Sequence, residues 1–274
     1  MKLSVVVCTH DRPDDLGRCV AALAALEDPV ETIVVDSASS TPVVPFDGVH
    51  LVRLDEPGLS RARNAGLALA RGELIAFVDD DAAVDPDWAR RIAAPFEDPT
   101  VGCVGGACLP DFATERPRWL SERLLQYAGV TRFRDRREVR ARRDYPFGAN
   151  VCFRRDALAE GFPEKLGRTG SALLSGEEVV AIDRVRARGY RVLLDPAAVV
   201  HHLVAPERCR GGYFWRRLWW QGVTRARAEA SPKLTLRLLA ALPVRLGLYA
   251  ATRDRVHLYR LAETAGYLRE LTAR

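Results

Sequence analysis

The sequence predicts an α/β protein built around an open, mostly parallel sheet with flanking helices. Three observations support this prediction. Short apolar, β-branched runs alternate with helical segments over the first hundred residues, and polar or acidic residues directly follow several of these runs. The chain has 274 residues, is 48% hydrophobic and 28% charged, and can therefore bury a core without disulfides or metal ions.

The first hundred residues contain four apolar runs that we predict as strands, most of them buried on both faces. A helix follows the first run, because Pro13 stands at its start with Asp14 and Asp15 in its first turn. A second helix is predicted at 59–70 and ends before Gly72. The four predicted strands are residues 3–8, 31–35, 49–54 and 74–78.

The middle of the chain is less regular. Residues 132–143 hold seven Arg with two acidic residues, which predicts an exposed loop that is either solvated or closes over a phosphate group. A strand-like run follows at 146–153, then a helix that begins at 176–178. The next predicted strand is 190–196, and residues 199–202 (VVHH) come after it.

Charge separates the chain into two parts. Residues 206–274 contain 14 Lys and Arg against 5 Asp and Glu, a balance of +9, whereas residues 1–205 contain 27 against 31, a balance of −4. A basic tail predicts attachment to an anionic partner, or else only a solvated, Arg-rich surface. Charge without a recognisable motif does not support nucleic-acid binding.

The tail is helical in pattern and rich in aromatic and apolar residues. Trp215, Trp219 and Trp220 lie beside two Arg residues, a composition that suits an acceptor site, a lipid interface or packing onto the preceding domain. Residues 233–250 are apolar but interrupted by charges and a proline. This segment could therefore lie on a membrane surface, and we expect no helix of the chain to cross a membrane.

Missing motifs argue against several function classes. The sequence contains neither a GxGxxG fingerprint nor a Walker P-loop, which argues against a dinucleotide oxidoreductase and a P-loop NTPase. Its six cysteines form no CxxC pair, which argues against a zinc knuckle and indicates a reducing compartment. The first residues, MKLSVVVCTH, contain too short an apolar run for a signal peptide, so we expect a cytoplasmic location.

Consecutive carboxylates, Asp79–Asp81, end the fourth predicted strand. Like charges this close repel one another, and a divalent cation such as Mg²⁺ or Mn²⁺ would neutralise them and bridge to phosphates. The carboxyl ends of parallel strands are where such sheets bind ligands, so Thr9–Arg12 and Asp36–Ser39 are expected at the same edge. The alternative is a solvated acidic turn that caps the next helix.

Five motifs in this order and spacing resemble family 2 glycosyltransferases, which have the GT-A fold. They are VVVCTHDR, ETIVVDSAS, GLSRARNAGLALARGELIAFVDDD, PFGANVCFRRDAL and GEEVVAIDRVRARGY. The resemblance implies a bacterial enzyme of polysaccharide or glycolipid biosynthesis that transfers a sugar from a nucleotide sugar with inversion. It implies a catalytic domain at 1–205, with a nucleotide-sugar half (1–105) and an acceptor half (106–205), before a helical extension at 206–274.

The resemblance also implies which residues contact the donor. In the family, the acid after the second strand hydrogen-bonds the nucleotide base, and this residue is Asp36. A carboxylate accepts the imide N–H of uracil or thymine, so a UDP or dTDP donor is expected rather than GDP; the alternative is that Asp36 only caps a turn. The other residues implied at the donor are Thr9, Arg12, Arg61, Asn64, Asp79, Asp80 and Asn150.

The family's metal-binding DxD motif matches Asp79 and Asp81, with Asp81 expected to contact Mn²⁺ or Mg²⁺ directly. In the family, a His after the last core strand can complete metal or phosphate binding. His202 or His201 occupies this place, and His202 is the first choice. The metal would stabilise the nucleoside diphosphate that leaves as the glycosidic bond breaks.

The family's Gly-Glu-Asp motif ends in the general base that removes the proton of the acceptor hydroxyl. Glu178 stands at that position, one methylene longer than Asp, and Val180 stands where a second acid is expected. The resemblance therefore implies Glu178 as the base, with Glu177 as the alternative. A third reading is that both acids only complement the helix dipole.

Two other classes remain as alternatives to a glycosyltransferase. A sugar nucleotidyltransferase would carry a Gly-rich phosphate loop near the N-terminus, and VVVCTHDRPDD has none. A catalytically degenerate module would bind an anionic partner through its basic tail, and the intact acidic triplet argues against it. The expected partners are a nucleotide sugar, a carbohydrate or lipid-linked acceptor and the anionic inner face of the membrane, with no nucleic acid.

Overall fold

A computed structural model describes residues 1–131, 133–169 and 172–273. The strands are β1 (Leu3–Thr9), β2 (Glu31–Ser37), β3 (Val49–Leu54), β4 (Leu74–Asp79), β5 (Ala82–Val84), β6 (Val101–Phe112), β7 (Arg137–Glu138), β8 (Asn150–Arg154) and β9 (Arg191–Val204). The α-helices are α1 (Pro13–Ala24), α2 (Leu59–Leu69), α3 (Trp88–Ala93), α4 (Glu122–Leu125), α5 (Glu177–Ala187), α6 (Gly211–Glu229), α7 (Pro232–Thr252) and α8 (Arg255–Thr272).

Within these described ranges, the strands form one sheet in the order β3-β2-β1-β4-β8-β6-β9-β5, with β7 beside β9. The first four strands pair in parallel. The pairs β4–β8, β6–β8, β5–β9 and β7–β9 are antiparallel. The predicted α/β class is confirmed, but the sheet is mixed rather than mostly parallel, because a continuously apolar strand reads the same in either orientation.

The strand β6 was not predicted, because its sequence contains three glycines, which weaken a strand signal. The structure shows why a residue without a side chain is needed at two of these positions. A Cβ atom on Gly102 would lie 2.5 Å from Tyr190 Cβ, and one on Gly106 would lie 2.2 Å from Asn150 Nδ2. These glycines let neighbouring segments approach the sheet closely, at a cost in local propensity.

The core lies on both faces of the sheet, as the apolar runs predict. Val5 and Val7 of β1 belong to the cluster that contains Leu16 of α1. Val6, between them, belongs to the cluster on the other face, with Ala62 of α2. Successive strand residues point to opposite faces, so a strand covered by helices on both sides must be apolar throughout.

The loop predicted at 132–143 is mostly exposed over its described part, and Arg132 lies outside the described residues. It contains the short strand β7, in which Arg137 pairs with Leu194 of β9. The strand predicted at 190–196 and the residues after it form one continuous strand, β9.

The chain divides into two compact units. One comprises residues 1–111, 131–170 and 176–203, and the other comprises 112–130, 171–175 and 204–274. In the second unit, α6 and α8 pack closely: a Cβ atom on Gly222 would lie 1.9 Å from the carbonyl oxygen of Glu263, and one on Gly266 would lie 2.2 Å from that of Trp219. Only glycine fits at these two crossing points.

The helix α7 belongs to the second unit and is exposed along most of its length. It has 21 residues, and its most apolar window has a mean hydropathy of 1.4. By length and composition alone it could cross a membrane, although the sequence predicted no membrane-crossing helix. The reason is that two charged residues do not lower the mean hydropathy of such a segment enough to exclude it.

Candidate active site

The loops after β1 and β2 meet at one edge of the sheet. Asp11 in the first loop and Ala38 in the second have φ values of 54° and 59°, in the left-handed region that favours glycine. The backbone N–H of Asp11 donates to Ser39 Oγ at 3.0 Å, and that of Ser40 donates to Asp11 Oδ1 at 2.6 Å. The structure therefore joins the polar residues that follow these two strands and retains strained backbone there, which is common at binding sites.

The acidic triplet Asp79–Asp81 is held by side chains from β1 and the loop after it. Thr9 Oγ1 donates to Asp80 Oδ2 at 2.8 Å, and Arg12 Nη1 lies 2.9 Å from Asp81 Oδ2 and 3.3 Å from Asp80 Oδ1. Burial raises the pKa of Asp80 to about 7; the charge of Asp81 adds to this, whereas Arg12 and Thr9 oppose it. A further positive charge at this place would stabilise the ionised carboxylates.

Asp79, Asp81 and His202 form a cluster that fits a metal ion. Among the described residues, one ligand atom of each lies within 4.8 Å of the others, and Asp81 and His202 are buried. His202 Nε2 lies 3.2 Å from Asp81 Oδ1, because the pairing of β5 with β9 sets Ala82 opposite His202. Two carboxylates with an imidazole suit Mn²⁺, which accepts both oxygen and nitrogen ligands.

The neighbouring His201 lies outside this cluster. Successive residues of a strand point to opposite faces. His201 Nε2 contacts Asp85 Oδ1 at 2.8 Å, and both side chains are more than a third exposed. We therefore leave His201 out of the metal site.

Asp36, near the end of β2, is buried and bound by the protein itself. Its carboxylate accepts hydrogen bonds from the backbone N–H groups of Ser39 at 2.8 Å and Val43 at 3.3 Å, and from the guanidinium of Arg53. Burial acts to raise the pKa of Asp36, but these hydrogen bonds outweigh it and hold the pKa below its usual value. Arg53 was not predicted from the sequence, although the parallel register of β2 and β3 pairs it with Asp36.

A buried arginine, also missed in the sequence, connects the acidic triplet with the Gly-Glu-Glu motif. Arg63 Nη1 lies 2.7 Å from Glu177 Oε1, and its Nη2 lies 3.5 Å from Asp79 Oδ1. Both Arg63 and Glu177 have only 4% of their side chains exposed. The guanidinium lies 5.9 Å and 5.4 Å from the ring centroids of Phe77 and Phe162, so aromatic faces also contact the cation.

Gly148 makes room for this arginine. A Cβ atom at position 148 would lie 2.3 Å from Arg63 Nη2. The space that a side chain at position 148 would need is therefore filled by the protein's own guanidinium. The sequence could not reveal this contact, because Gly148 and Arg63 are 85 positions apart.

The two acids of the Gly-Glu-Glu motif have different surroundings. Glu177 pairs with Arg63, whereas Glu178 Oε2 is buried without a hydrogen-bond partner among the described residues. Burial and repulsion from Glu177 raise the pKa of Glu178 to about 7, although Arg63 lowers it. A carboxylate with a pKa near neutrality is suited to accept a proton.

Arg61 and Asn64 were predicted at the donor, and the structure places them in contacts with the protein. Arg61 is partly exposed and pairs with Glu56. Asn64 Nδ2 donates to the carbonyl of Phe162 at 2.9 Å, and Asn64 Oδ1 accepts from the N–H of Phe162 at 2.8 Å. Asn64 therefore anchors the segment around Phe162, and we leave it out of the proposed donor site.

Asn150 has a similar anchoring role within the sheet. Its Oδ1 accepts from Trp88 Nε1 at 3.0 Å, and its Nδ2 donates to the carbonyls of Ala107 and Ala198 at 2.9 Å. Asn150 is fully buried. Both polar ends of the amide are thus used to join strands and a helix, and we leave Asn150 out of the proposed donor site.

A known family has the same sequence pattern. The model of the family described as Glycosyl transferase family 2 matches residues 4–162, more than half of the chain. The chain belongs to glycosyl transferase family 2. The resemblance inferred from the five motifs is therefore confirmed, and so is the enzyme class, a glycosyltransferase.

Two similar proteins match most of the chain. The glucosyl-dolichyl phosphate glucuronosyltransferase of Haloferax volcanii is 29% identical over 240 residues, which cover 82% of this chain and 76% of that protein. The succinoglycan biosynthesis protein ExoM of Rhizobium meliloti is 26% identical over 254 residues, which cover 86% of this chain and 78% of ExoM.

Solved glycosyltransferases share the fold. The mannosyltransferase PcManGT from Pyrobaculum calidifontis, in complex with GDP-Man and Mn²⁺, has a TM-score of 0.63 at 19% identity over 97% of this chain and 87% of its own. Residues 1–349 of S. aureus TarS in complex with UDP-GlcNAc have a TM-score of 0.56 at 15% identity over 97% and 89%. The GT-A fold expected for this family 2 glycosyltransferase is confirmed.

Proposed function

We propose that this glycosyltransferase uses a divalent metal to move a sugar, with inversion, from a uridine or thymidine diphosphate sugar to a hydroxyl group of a saccharide or lipid-linked acceptor. One observation carries the proposal: Arg63 contacts both the acidic triplet, at Asp79, and the Gly-Glu-Glu motif, at Glu177. A group that binds a diphosphate and a group that accepts a proton are thereby held within one site.

Asp79, Asp81 and His202 are the residues that would hold the metal ion. The proximity of their ligand atoms and the burial of two of them fit this role. The mixed oxygen and nitrogen ligands favour Mn²⁺ over Mg²⁺, which prefers oxygen ligands alone. When bound, the ion supplies positive charge to the diphosphate that leaves. Arg12, which contacts Asp80 and Asp81, would hold these carboxylates in place.

Glu178 is the proposed general base. In an inverting transfer the acceptor oxygen attacks the anomeric carbon as the bond to the diphosphate breaks, and the proton of the hydroxyl passes to a carboxylate. Glu177 is already engaged in an ion pair with Arg63, at 2.7 Å, so Glu178 is the acid of this motif left to take the proton. Burial, and then repulsion from Glu177, raise the pKa of Glu178 to about 7, which suits it to this role.

The nucleoside of the donor is proposed from the surroundings of Asp36. A carboxylate accepts about four hydrogen bonds, and protein groups on Ser39, Val43 and Arg53 already donate to this one. At most a single further donor fits. The single imide N–H of uracil or thymine meets this condition better than guanine, which presents two adjacent donors.

The acceptor is proposed from the relatives and from α7. One relative is named as an enzyme that acts on glucosyl-dolichyl phosphate, and another takes part in succinoglycan biosynthesis. The exposed apolar helix α7 supports a membrane-associated enzyme. We therefore propose a lipid-linked saccharide acceptor at the cytoplasmic face of a membrane.

Ligand-induced stabilisation tests the metal and the nucleotide together, because a ligand of the native state raises its melting temperature. The protein is heated with UDP, dTDP or GDP, each with and without Mn²⁺. We expect Mn²⁺-dependent stabilisation by UDP or dTDP, its loss in Asp81→Asn and its retention in the matched control Asp85→Asn, which changes an acid outside the cluster. Stabilisation by GDP alone would contradict the nucleoside assignment, and metal-independent stabilisation would contradict the metal site.

The stereochemistry of the product tests the mechanism. A panel of UDP- and dTDP-sugars is screened for release of nucleoside diphosphate, and the anomeric configuration of the product is read by NMR. Inversion is the expected result, and retention would exclude direct displacement with Glu178 as the base. Loss of transfer in Glu178→Gln with unchanged UDP binding would separate proton transfer from donor binding.

A further inference from the structure

The outer half of α7, away from α8, exposes several large apolar side chains. Within the described residues of this helix, only Leu238 is buried, and it packs with Tyr267 of α8 and Ala226 of α6. Val244 is 59% exposed and Leu236 is 69% exposed. The large apolar residues exposed on α7 are Leu236, Leu239, Val244, Leu246 and Leu248. Several large apolar side chains exposed on one helix of a folded protein indicate an interaction site.

The charge in the middle of this helix, Arg245, is turned away from the exposed apolar side chains and toward α8. Arg245 is the only charged residue between positions 238 and 252. Its Nη1 donates to Thr264 Oγ1 at 2.9 Å and to the carbonyl of Arg260, both on α8, and only 11% of its side chain is exposed. The outer face of α7 is therefore apolar over about 20 Å, at 1.5 Å per residue.

Cations stand at both ends of this apolar stretch. Lys233 and Arg237 are exposed near the start of α7, and Arg253 is exposed directly after its end. No Asp or Glu occurs between residues 231 and 253. An apolar helix face bounded by cations is the pattern of a helix that lies in the interface of an anionic membrane.

We propose that the outer face of α7 lies on an anionic lipid bilayer, with its apolar side chains among the acyl chains and its terminal cations at the phosphate groups. This surface deepens the proposed function, since it would hold the catalytic unit next to a lipid-linked acceptor, but the binding itself does not depend on that function. The helix lies on the bilayer rather than crossing it, because Leu238 and Arg245 hold α7 against α8.

A second copy of this chain fits the face less well than a bilayer does. In a parallel pair of α7 helices, Arg253 of one copy would meet Arg253 of the other. In an antiparallel pair, Arg253 would meet Lys233 and Arg237. Both arrangements set like charges together with no acidic residue on α7 to compensate them, which disfavours association.

The test is co-sedimentation of the full chain with vesicles of phosphatidylcholine alone or with added phosphatidylglycerol. We expect binding to the anionic vesicles and weakening of that binding as salt is raised. The double variant Val244→Ser/Leu248→Ser should reduce binding by about tenfold or more, because it removes apolar side chains that enter the bilayer. Lys233→Gln/Arg237→Gln/Arg253→Gln should abolish the preference for anionic lipid.

Trp215→Ser is the matched control, since Trp215 is an exposed apolar residue of α6 with the same 41% exposure as Leu239 and Leu248. It should leave vesicle binding unchanged. If Trp215→Ser reduces sedimentation with vesicles as much as Val244→Ser/Leu248→Ser does, the assignment to α7 is overturned. So would a dimer, seen by analytical ultracentrifugation, that Val244→Ser/Leu248→Ser dissociates.

Folding and the proposed function are monitored separately. Each variant is checked for its melting temperature and for stabilisation by UDP with Mn²⁺, which reports the site in the other unit. Loss of vesicle binding with these two values unchanged supports the proposal. Vesicle binding by wild type that survives all of the α7 variants overturns it, whether or not the nucleotide assignment holds.

Discussion

The buried ion pair between Arg63 and Glu177 leads to a prediction about the free energy of unfolding. This prediction depends only on the geometry of the site. The pair is 2.7 Å long, and each side chain has 4% of its surface exposed. Removing one partner of a buried ion pair leaves a charge without compensation and typically costs about 3–5 kcal/mol. We expect Arg63→Met to cost this amount, because the second oxygen of Glu177 has no hydrogen-bond partner among the described residues.

Replacing Glu177, the other partner of the ion pair, should lower the free energy of unfolding by less. In Glu177→Gln, Arg63 keeps Asp79 at 3.5 Å and its two aromatic neighbours, so we expect a loss of roughly 1–3 kcal/mol. The double variant carries no unpaired buried carboxylate at position 177. It should therefore be more stable than the sum of the single losses predicts, by about 2 kcal/mol or more.

Thermal unfolding of the four proteins measures this difference. For a domain of roughly 150–250 residues, each 1 kcal/mol shifts the melting temperature by about 2–4 °C, so Arg63→Met should melt roughly 6–20 °C lower. Arg61→Met is the matched control, since Arg61 is two positions away on α2 and its ion pair with Glu56 is exposed. It should change stability by less than about 1 kcal/mol. If the melting temperature of the double variant falls by the sum of the two single shifts, the reasoning is refuted.

Three further predictions concern the site and the second unit. Transfer should fall about tenfold per pH unit below roughly pH 7, because a base must be deprotonated and burial raises the pKa of Glu178 to about 7. Glu177→Gln should move this midpoint to lower pH, since it removes the like charge; an unchanged midpoint in the pH–rate profile would argue against Glu178 as the base. His202→Ala should weaken the Mn²⁺-dependent stabilisation by UDP, whereas His201→Ala should not, as thermal unfolding will show. Gly222→Ala should lower the melting temperature of the second unit, because its Cβ would lie 1.9 Å from the carbonyl oxygen of Glu263; calorimetry that shows no loss would contradict the close packing of α6 on α8.

The sequence alone predicted most elements of the first hundred residues and the place of the acidic triplet. The signals are local: β-branched apolar runs form strands buried on both faces, Pro13 starts a helix, and Asp79–Asp81 directly follow a strand. It did not predict β6, in which glycines needed for close approach weaken the strand pattern. Asn64 and Asn150, which the sequence placed at the donor, hydrogen-bond other protein groups in the structure. In a sequence, a polar residue near a site looks the same whether it binds a ligand or the protein.

By itself, the sequence determined the family, the α/β class and the position of the acidic triplet at the end of a strand, because each rests on the order of residues along the chain. Only the tertiary structure decided which polar groups meet. Arg63 and Arg61 lie in one helix, but only Arg63 faces the buried Glu177, and His202 differs from His201 only through the pairing of β9 with β5. Likewise, Arg245 interrupts an apolar segment in sequence yet leaves its outer face unbroken, because α8 accepts its hydrogen bonds. Burial and pairing between distant segments set the charge and contacts of a side chain, and neither is encoded in a short stretch of sequence.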